Sequence, residues 1–271
     1  MTDYCIFINY SNSVEFAYPE RAFISELSKI FTKVIVTSNN AIEPSLLNEN
    51  VSVIVVKNEG YDLGMFYKAL KTINLQNASR IALINNSNIL LGDLKGVFEK
   101  GAKLKAPFWG LIDSYEKPWF STHINNHHLQ SHFLVWEKQA ISLLHNYLES
   151  INIHDFFAEH DQKKLRRKVI NEWEIGLSRY FVTQGFILSS VFEHAELVKN
   201  YKHKVPKNFT MADPEWLLKN SYPFLKKKFV QKQNFLKTLF HPNKNWKNLI
   251  CTYNSSSVKT DALIHYFSNK I

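Results

Sequence analysis

An apolar run from Ile81 to Ile84 breaks abruptly into three polar residues, Asn85, Asn86 and Ser87. Such a run, bounded by turn formers, suits a strand buried on both faces. Open α/β sheets bind ligands just past the carboxyl ends of such strands. Two readings of the triplet stand: contacts to a ligand, or an Asn/Ser turn that closes the strand. Other polar residues repeat the pattern. Asn39 and Asn40 stop an earlier β-branched run, and Asp113-Ser114 ends a later one. Between them lies Asn58-Glu59-Gly60-Tyr61-Asp62-Leu63-Gly64, a tight loop leading into a helical pattern. Free backbone N–H groups at a helix start can receive an anion. Asp62 would repel a phosphate, so it suits sugar or ribose hydroxyls, or a helix cap.

Two further groups could carry chemistry. His123, His127, His128 and His132 include i, i+4 pairs that would suit a metal if helical. Phe133 to Trp136 reads as a strand, which would scatter the rings into ordinary hydrogen-bonding roles. Further on, Asn171 is placed to cap a helix, with Glu172 and Glu174 in its first turn and Gly185 past its end. Gly176 inside that helix costs about 1 kcal/mol relative to alanine, so a close backbone or substrate approach is expected there.

The elements that must position these residues are strands at 4–9, 33–38, 51–56, 81–84 and 108–112, alternating with helical patterns. That alternation predicts βαβ units, a mostly parallel sheet and an α/β fold. Four strand ends then share one rim if the sheet is parallel. A helix is predicted at 138–148, a solvated helix face or linker at 159–168, and a capped short helix from Asp213. From Phe224 to Phe240, aromatic and aliphatic residues interleave with Lys226, Lys227, Lys228, Lys232 and Lys237. A basic amphipathic helix of this kind either lies on an anionic membrane surface or packs on the core with its lysines snorkelling.

The 271 residues are 45% hydrophobic and fit one large domain or two small ones. No apolar run approaches the ~20 residues of a membrane span. Two isolated cysteines and no basic–apolar leader predict a cytoplasmic setting. The net charge of +9 is uneven: from Tyr201 onward there are thirteen lysines against three acidic residues, while the first two hundred residues are near neutral. A basic end on a neutral body suggests an anionic partner, or simply a solvated surface. Zinc-finger spacing, a Walker loop, a G-x-S-x-G elbow and a Rossmann G-x-G-x-x-G are missing.

Several segments, in this order, resemble the rhamnan synthesis protein F family of bacterial polysaccharide glycosyltransferases. They are Asn58 to Gly64, Leu83 to Gly92, Trp109-Gly110-Leu111, His128 to Val135, Glu174 to Ser178, and Pro223 to Lys226. The resemblance implies a GT-A-like, Rossmann-type sheet flanked by helices, with a basic helical C-terminal region. It assigns residues 1–200 to nucleotide-sugar and acceptor binding and 201–271 to a C-terminal extension packed on that domain or at the membrane surface. The implied partners are a nucleotide-sugar donor and a growing polysaccharide or lipid-linked glycan at the inner face of the cytoplasmic membrane, with no nucleic acid. Donor contacts would come from Asn39, Asn58, Gly60, Asp62, Gly64, Asn85, Asn86, Ser87, His128 and Arg179. An inverting enzyme needs a general base. Glu174 stands where GT-A enzymes often place it, with Glu172 in reserve and Asp113 as a third choice or a sugar ligand.

Two residues depart from the family pattern. Asn86 replaces an Asp, and GT-A enzymes use an Asp-x-Asp near this strand to hold Mg²⁺ or Mn²⁺. Loss of that charge weakens a metal site, so backbone N–H groups, Lys, Arg or His, such as His128 or Arg179, would meet the leaving-group charge. His132 replaces a Tyr. The competing expectation is a GT-A-like domain without catalysis that scaffolds a polysaccharide assembly complex. A nucleotidyltransferase on a similar scaffold is a further alternative, marked by release of pyrophosphate.

Overall fold

A computed structural model describes residues 1–42, 47–230 and 246–269. Period-two alternation builds its centre. In β1 (Thr2–Asn9), Cys5 and Phe7 face one core while Tyr4, Ile6 and Ile8 face the other. In β4 (Ala78–Asn85), Ala82 and Ile84 divide from Ile81 and Leu83 in the same way. Burial on both faces is why these strands read as continuous apolar runs.

The remaining strands are β2 (Lys33–Ser38), β3 (Val51–Val55), β5 (Asn88–Leu90), β6 (Phe108–Ser114), β7 (His128–Leu129), β8 (Phe133–Glu137), β9 (Ser189–Phe192) and β10 (Phe224–Lys226). The main sheet runs β3-β2-β1-β4-β8-β6; β7 continues along the β8 side of β6 and β9 pairs with its opposite edge. β1 pairs in parallel with β2 and β4, β2 with β3, and β6 with β9. β8 is antiparallel to both β4 and β6. The sheet is therefore mixed but mostly parallel, as the alternation predicted. β5 and β10 form a separate antiparallel pair.

The helices are α1 (Tyr18–Ser28), α2 (Tyr61–Leu70), α3 (Leu94–Lys103), α4 (Lys138–Ser150), α5 (Ile153–Ala158), α6 (Gln162–Lys168) and α7 (Leu177–Thr183), followed by shorter ones. α1 and α3 pack on one sheet face through Phe23, Leu27, Val97 and Phe98. α2, α4 and α7 cover the other through Phe66, Ile141, Leu144 and Phe181. The helices at Trp246–Tyr253 and Thr260–Asn269 add Trp246, Ile250, Leu263 and Phe267 to the same core as Phe7 and Phe23. No helix among the described residues is long and apolar enough to cross a membrane.

Two local expectations are corrected. The helix expected to start at Asn171 begins at Gln162, where the Asp161 carboxylate accepts from the amides of Lys163 and Lys164. It continues through a π-helical segment, Val169–Gly176, into α7. Asn171 is thus inside it, and its side chain accepts from the Thr122 backbone N–H instead. Glu172 and Glu174 lose the first-turn role with it. The segment from Phe224 is a strand and a 3₁₀ turn rather than an amphipathic helix, because Pro223 starts it extended and β5 offers a free edge. Phe224, Leu225 and Val230 are buried, so it packs on the core. Residues 231–240 of that reading lie outside the described residues.

Candidate functional site at the strand carboxyl ends

β1, β2, β3, β4 and β6 point the same way, so their carboxyl ends form one rim. Asn85 is its hub. Its Nδ2 donates to Asp62 Oδ2 at 2.6 Å, and its Oδ1 accepts from the Ser87 backbone N–H at 3.1 Å and from Ser87 Oγ at 2.5 Å. The Asn85 backbone N–H donates to the His132 carbonyl on the approach to β8. The triplet is therefore both a turn and a polar platform.

Asn86 explains its own departure from an acid. Its Nδ2 donates to Asn9 Oδ1 at 2.9 Å and to the Tyr10 carbonyl at 3.0 Å, tying the end of β4 to the end of β1. An aspartate would set a carboxylate against two acceptors. Among the described residues no three His, Cys, Asp or Glu side chains come together.

Asp62 is aimed by an unusual backbone. Gly60 has φ 75° and Tyr61 φ 52°, both left-handed, at the start of α2. Gly64 lies one turn on, where a Cβ would stand 1.6 Å from the Glu59 carbonyl oxygen. Both glycines thus serve the fit of loop on helix. Burial pushes the Asp62 carboxyl above its ordinary range, the Glu174 charge pushes the same way, and the bond from Asn85 opposes them. A carboxyl raised in the folded state favours folding below its unfolded value of 3.8, and that contribution is lost as pH rises through the folded value. Asp62→Asn should therefore stabilise the chain at pH 7 by up to about 1 kcal/mol. Urea titrations of both proteins should show the gap closing as pH falls through the raised folded value, and closed below the unfolded value of 3.8.

Glu174 sits in the π-helical segment. Its Oε1 accepts from both the backbone N–H and the hydroxyl of Ser131, each at 3.1 Å. Oε2 has no hydrogen-bond partner among the described residues. π-helical turns recur at functional sites. Gly176 follows because a Cβ there would meet the Tyr147 hydroxyl at 2.7 Å, so the expected close approach is made by the protein itself. Glu172 has a different environment: burial raises its carboxyl, against Lys168, with Asp155 and His123 as its other charged neighbours.

The other candidates are dispersed. Asp113 is buried and accepts from His127 Nε2, Ser190 Oγ and the His194 backbone N–H at 2.7 to 2.9 Å. Burial pushes its carboxyl up, but these three bonds, with the His127 charge, hold it below the ordinary value. Asn39 brackets Ser11, accepting from its N–H and donating to its carbonyl, both at 2.8 Å. Asn58 is exposed on the loop after β3. His128 is buried with Nδ1 on the Asn126 carbonyl. Arg179 is half-buried on α7, with no ion-pair partner among the described residues. The four histidine rings go to four different groups: the Asn171 carbonyl, Asp113, the Asn126 carbonyl and the Tyr222 hydroxyl.

Sequence reading missed Ser131 and gave Lys226 no role of its own. Ser131 reaches Glu174 only because β8 returns antiparallel beside β4, and no local signal marks that. No local signal marks Lys226 either, since a proline ahead of an apolar pair opens a helix as readily as a strand.

Fold and rim together define an α/β protein whose parallel strands end in polar side chains, where open sheets bind ligands. The family model described as "Rhamnan synthesis protein F" matches residues 34–263, and the chain belongs to that family. Its place is therefore in rhamnan polysaccharide synthesis. No curated protein sequence matches the chain. Among solved structures, a putative glucose-1-phosphate thymidylyltransferase from Bacillus anthracis is 10% identical, with a TM-score of 0.45 over 70% of this chain and 85% of that one. A 4-diphosphocytidyl-2C-methyl-D-erythritol synthase from Anaerococcus prevotii is 11% identical, with a TM-score of 0.43 over 70% and 86%. Likenesses this distant carry no argument about this chain.

Proposed function

We propose that the chain is an inverting glycosyltransferase, moving a sugar (rhamnose or another hexose) from a nucleotide-sugar donor to a growing polysaccharide or lipid-linked glycan. One observation carries the reading. Glu174 is held through Oε1 by two donors of Ser131, and its Oε2 has no hydrogen-bond partner among the described residues. That is how a general base is oriented. In the reaction, an acceptor hydroxyl attacks the anomeric carbon. Its proton passes to Glu174 Oε2, and the bond to the diphosphate breaks with its electron pair going to the leaving group. Asn85, Ser87 and Asp62 would hold hydroxyls of the donor. The family's place in polysaccharide synthesis supports the substrate class.

A thermal-shift screen of dTDP-, UDP-, GDP- and CMP-linked sugars tests the reading. One donor should raise the melting temperature progressively with the logarithm of its concentration above Kd, and the same donor should be consumed when an acceptor glycan is added. Binding without transfer would favour the second reading, a glycan-assembly scaffold, which Asn86 in place of an acid supports. No shift with any donor would remove the donor site itself.

A further inference from the structure

Lys226 lies at the end of β10, in register with Asn88 and so beside the turn that follows β4. Its strand is firmly placed. The Lys227 N–H donates to the Ser87 carbonyl at 2.9 Å, and the Pro223 carbonyl accepts from Leu91 and Gly92 at 2.8 and 3.0 Å. The Lys227 ammonium is paired with Glu20. Lys226 differs from this neighbour. It is half-buried, yet no carboxylate comes within ion-pair distance of its ammonium among the described residues.

Several charged groups act on Lys226 at longer range. Burial draws its pKa down, Glu174 opposes, Lys228 adds to the fall and Glu116 opposes again. Lys226 in turn acts on the buried His132, whose pKa burial lowers first. Its charge is therefore felt at Glu174 and at His132, beside the Asn85 hub. A half-buried ammonium without a counter-ion is costly, and an arriving anion removes the cost. Lysine binds phosphate as a point charge on a flexible stem.

We infer that Lys226 receives the diphosphate of the donor, taking the part that a divalent ion would have if position 86 were acidic. This rests on the donor-site reading above. Neither His128 nor the amide of Asn86 is placed for the role: His128 has a ring nitrogen tied to the Asn126 carbonyl, and Asn86 donates to the end of β1.

The test is calorimetric titration of the full chain with UDP and dTDP in EDTA, on wild type, Lys226→Ala and Lys228→Ala. Wild type should bind one of the two without metal. Lys226→Ala should bind it at least about tenfold more weakly, equivalent to about 1.4 kcal/mol, while the exposed Lys228→Ala binds as wild type. If Lys226→Ala fails to fold, Lys226→Met keeps the packed stem and removes the charge. Equal affinity in the Lys226 variant, or wild-type binding that EDTA abolishes and Mn²⁺ restores, overturns the role of Lys226 and leaves the donor site standing. Wild type that binds none of UDP, dTDP and GDP in either condition overturns the diphosphate donor site as well.

Discussion

Replacing Glu174 with Gln should lower sugar transfer by about 10²- to 10⁴-fold, the contribution of a positioned general base. The substitution keeps the side chain's shape. Gln Oε1 can still accept from the backbone N–H and hydroxyl of Ser131, so the rim should hold its geometry. Donor affinity should change little, because the base acts on the acceptor. Removing the charge also relieves the push on Asp62. Initial rates at saturating donor are the measurement. A variant with wild-type rates would remove Glu174 from the role. Glu172→Gln serves as the comparison. Lys168, Asp155 and His123 act on that side chain, in place of the Asp62 and Lys226 that meet Glu174, so it should retain transfer.

Gly64→Ala should destabilise the fold by about 3 kcal/mol, the upper part of the usual range for overpacking. Its Cβ would fall 1.6 Å from the Glu59 carbonyl oxygen and 2.9 Å from the Phe157 ring. The first obstacle is backbone, which cannot rotate away as a side-chain tip can. The loop before α2 would have to shift at Glu59, disturbing the first turn of α2 that sets Asp62 against Asn85, so donor affinity should fall with stability. Urea unfolding should show a lower midpoint at unchanged slope. A midpoint equal to wild type would mean that the loop can shift freely. Gly185→Ala gives the scale for conformational strain alone. Gly185 has φ 86° with nothing within 4 Å of a Cβ, so that change should cost only about 1–2 kcal/mol.

If Asp62 holds the donor as proposed, donor affinity and stability are opposed there. A carboxylate pressed by burial and by Glu174 lowers the stability of the empty protein. Enzymes commonly retain such groups because removing them stabilises the chain at the expense of the site.

Much of this molecule was written in local pattern. β2 was legible to the residue at Lys33–Ser38, and β1, β3 and β6 to within two residues at either end. Buried parallel strands are short, continuous and apolar, so composition alone marks them. Pro19 at the start of α1 and Asp213 capping the helix from Pro214 were read from single residues, since caps and first turns depend on immediate neighbours. The rim followed from the strands, because parallel direction alone brings Asn39, Asn58, Asn85 and Asp113 to one edge.

Where local signals competed, the sequence misled. Asn171 was as good a cap as Asp161, and the choice fell to Asp161 because the helix could continue past Asn171 with Trp173 and Ile175 buried. The lysines after Phe224 carried a helical pattern, but the free edge of β5 and the fixed start at Pro223 made a strand. Long-range pairing also set the chemistry of the site. Glu174 meets Ser131 across 43 residues, Asn85 meets Asp62 across 23, and Asn86 meets Asn9 across 77. Residue type and spacing named the amides, hydroxyls and carboxylates of the rim. Which of them touch, which are spent on the fold, and which cation stands beside the β4 turn depend on contacts between distant segments, and no local window of sequence contains those.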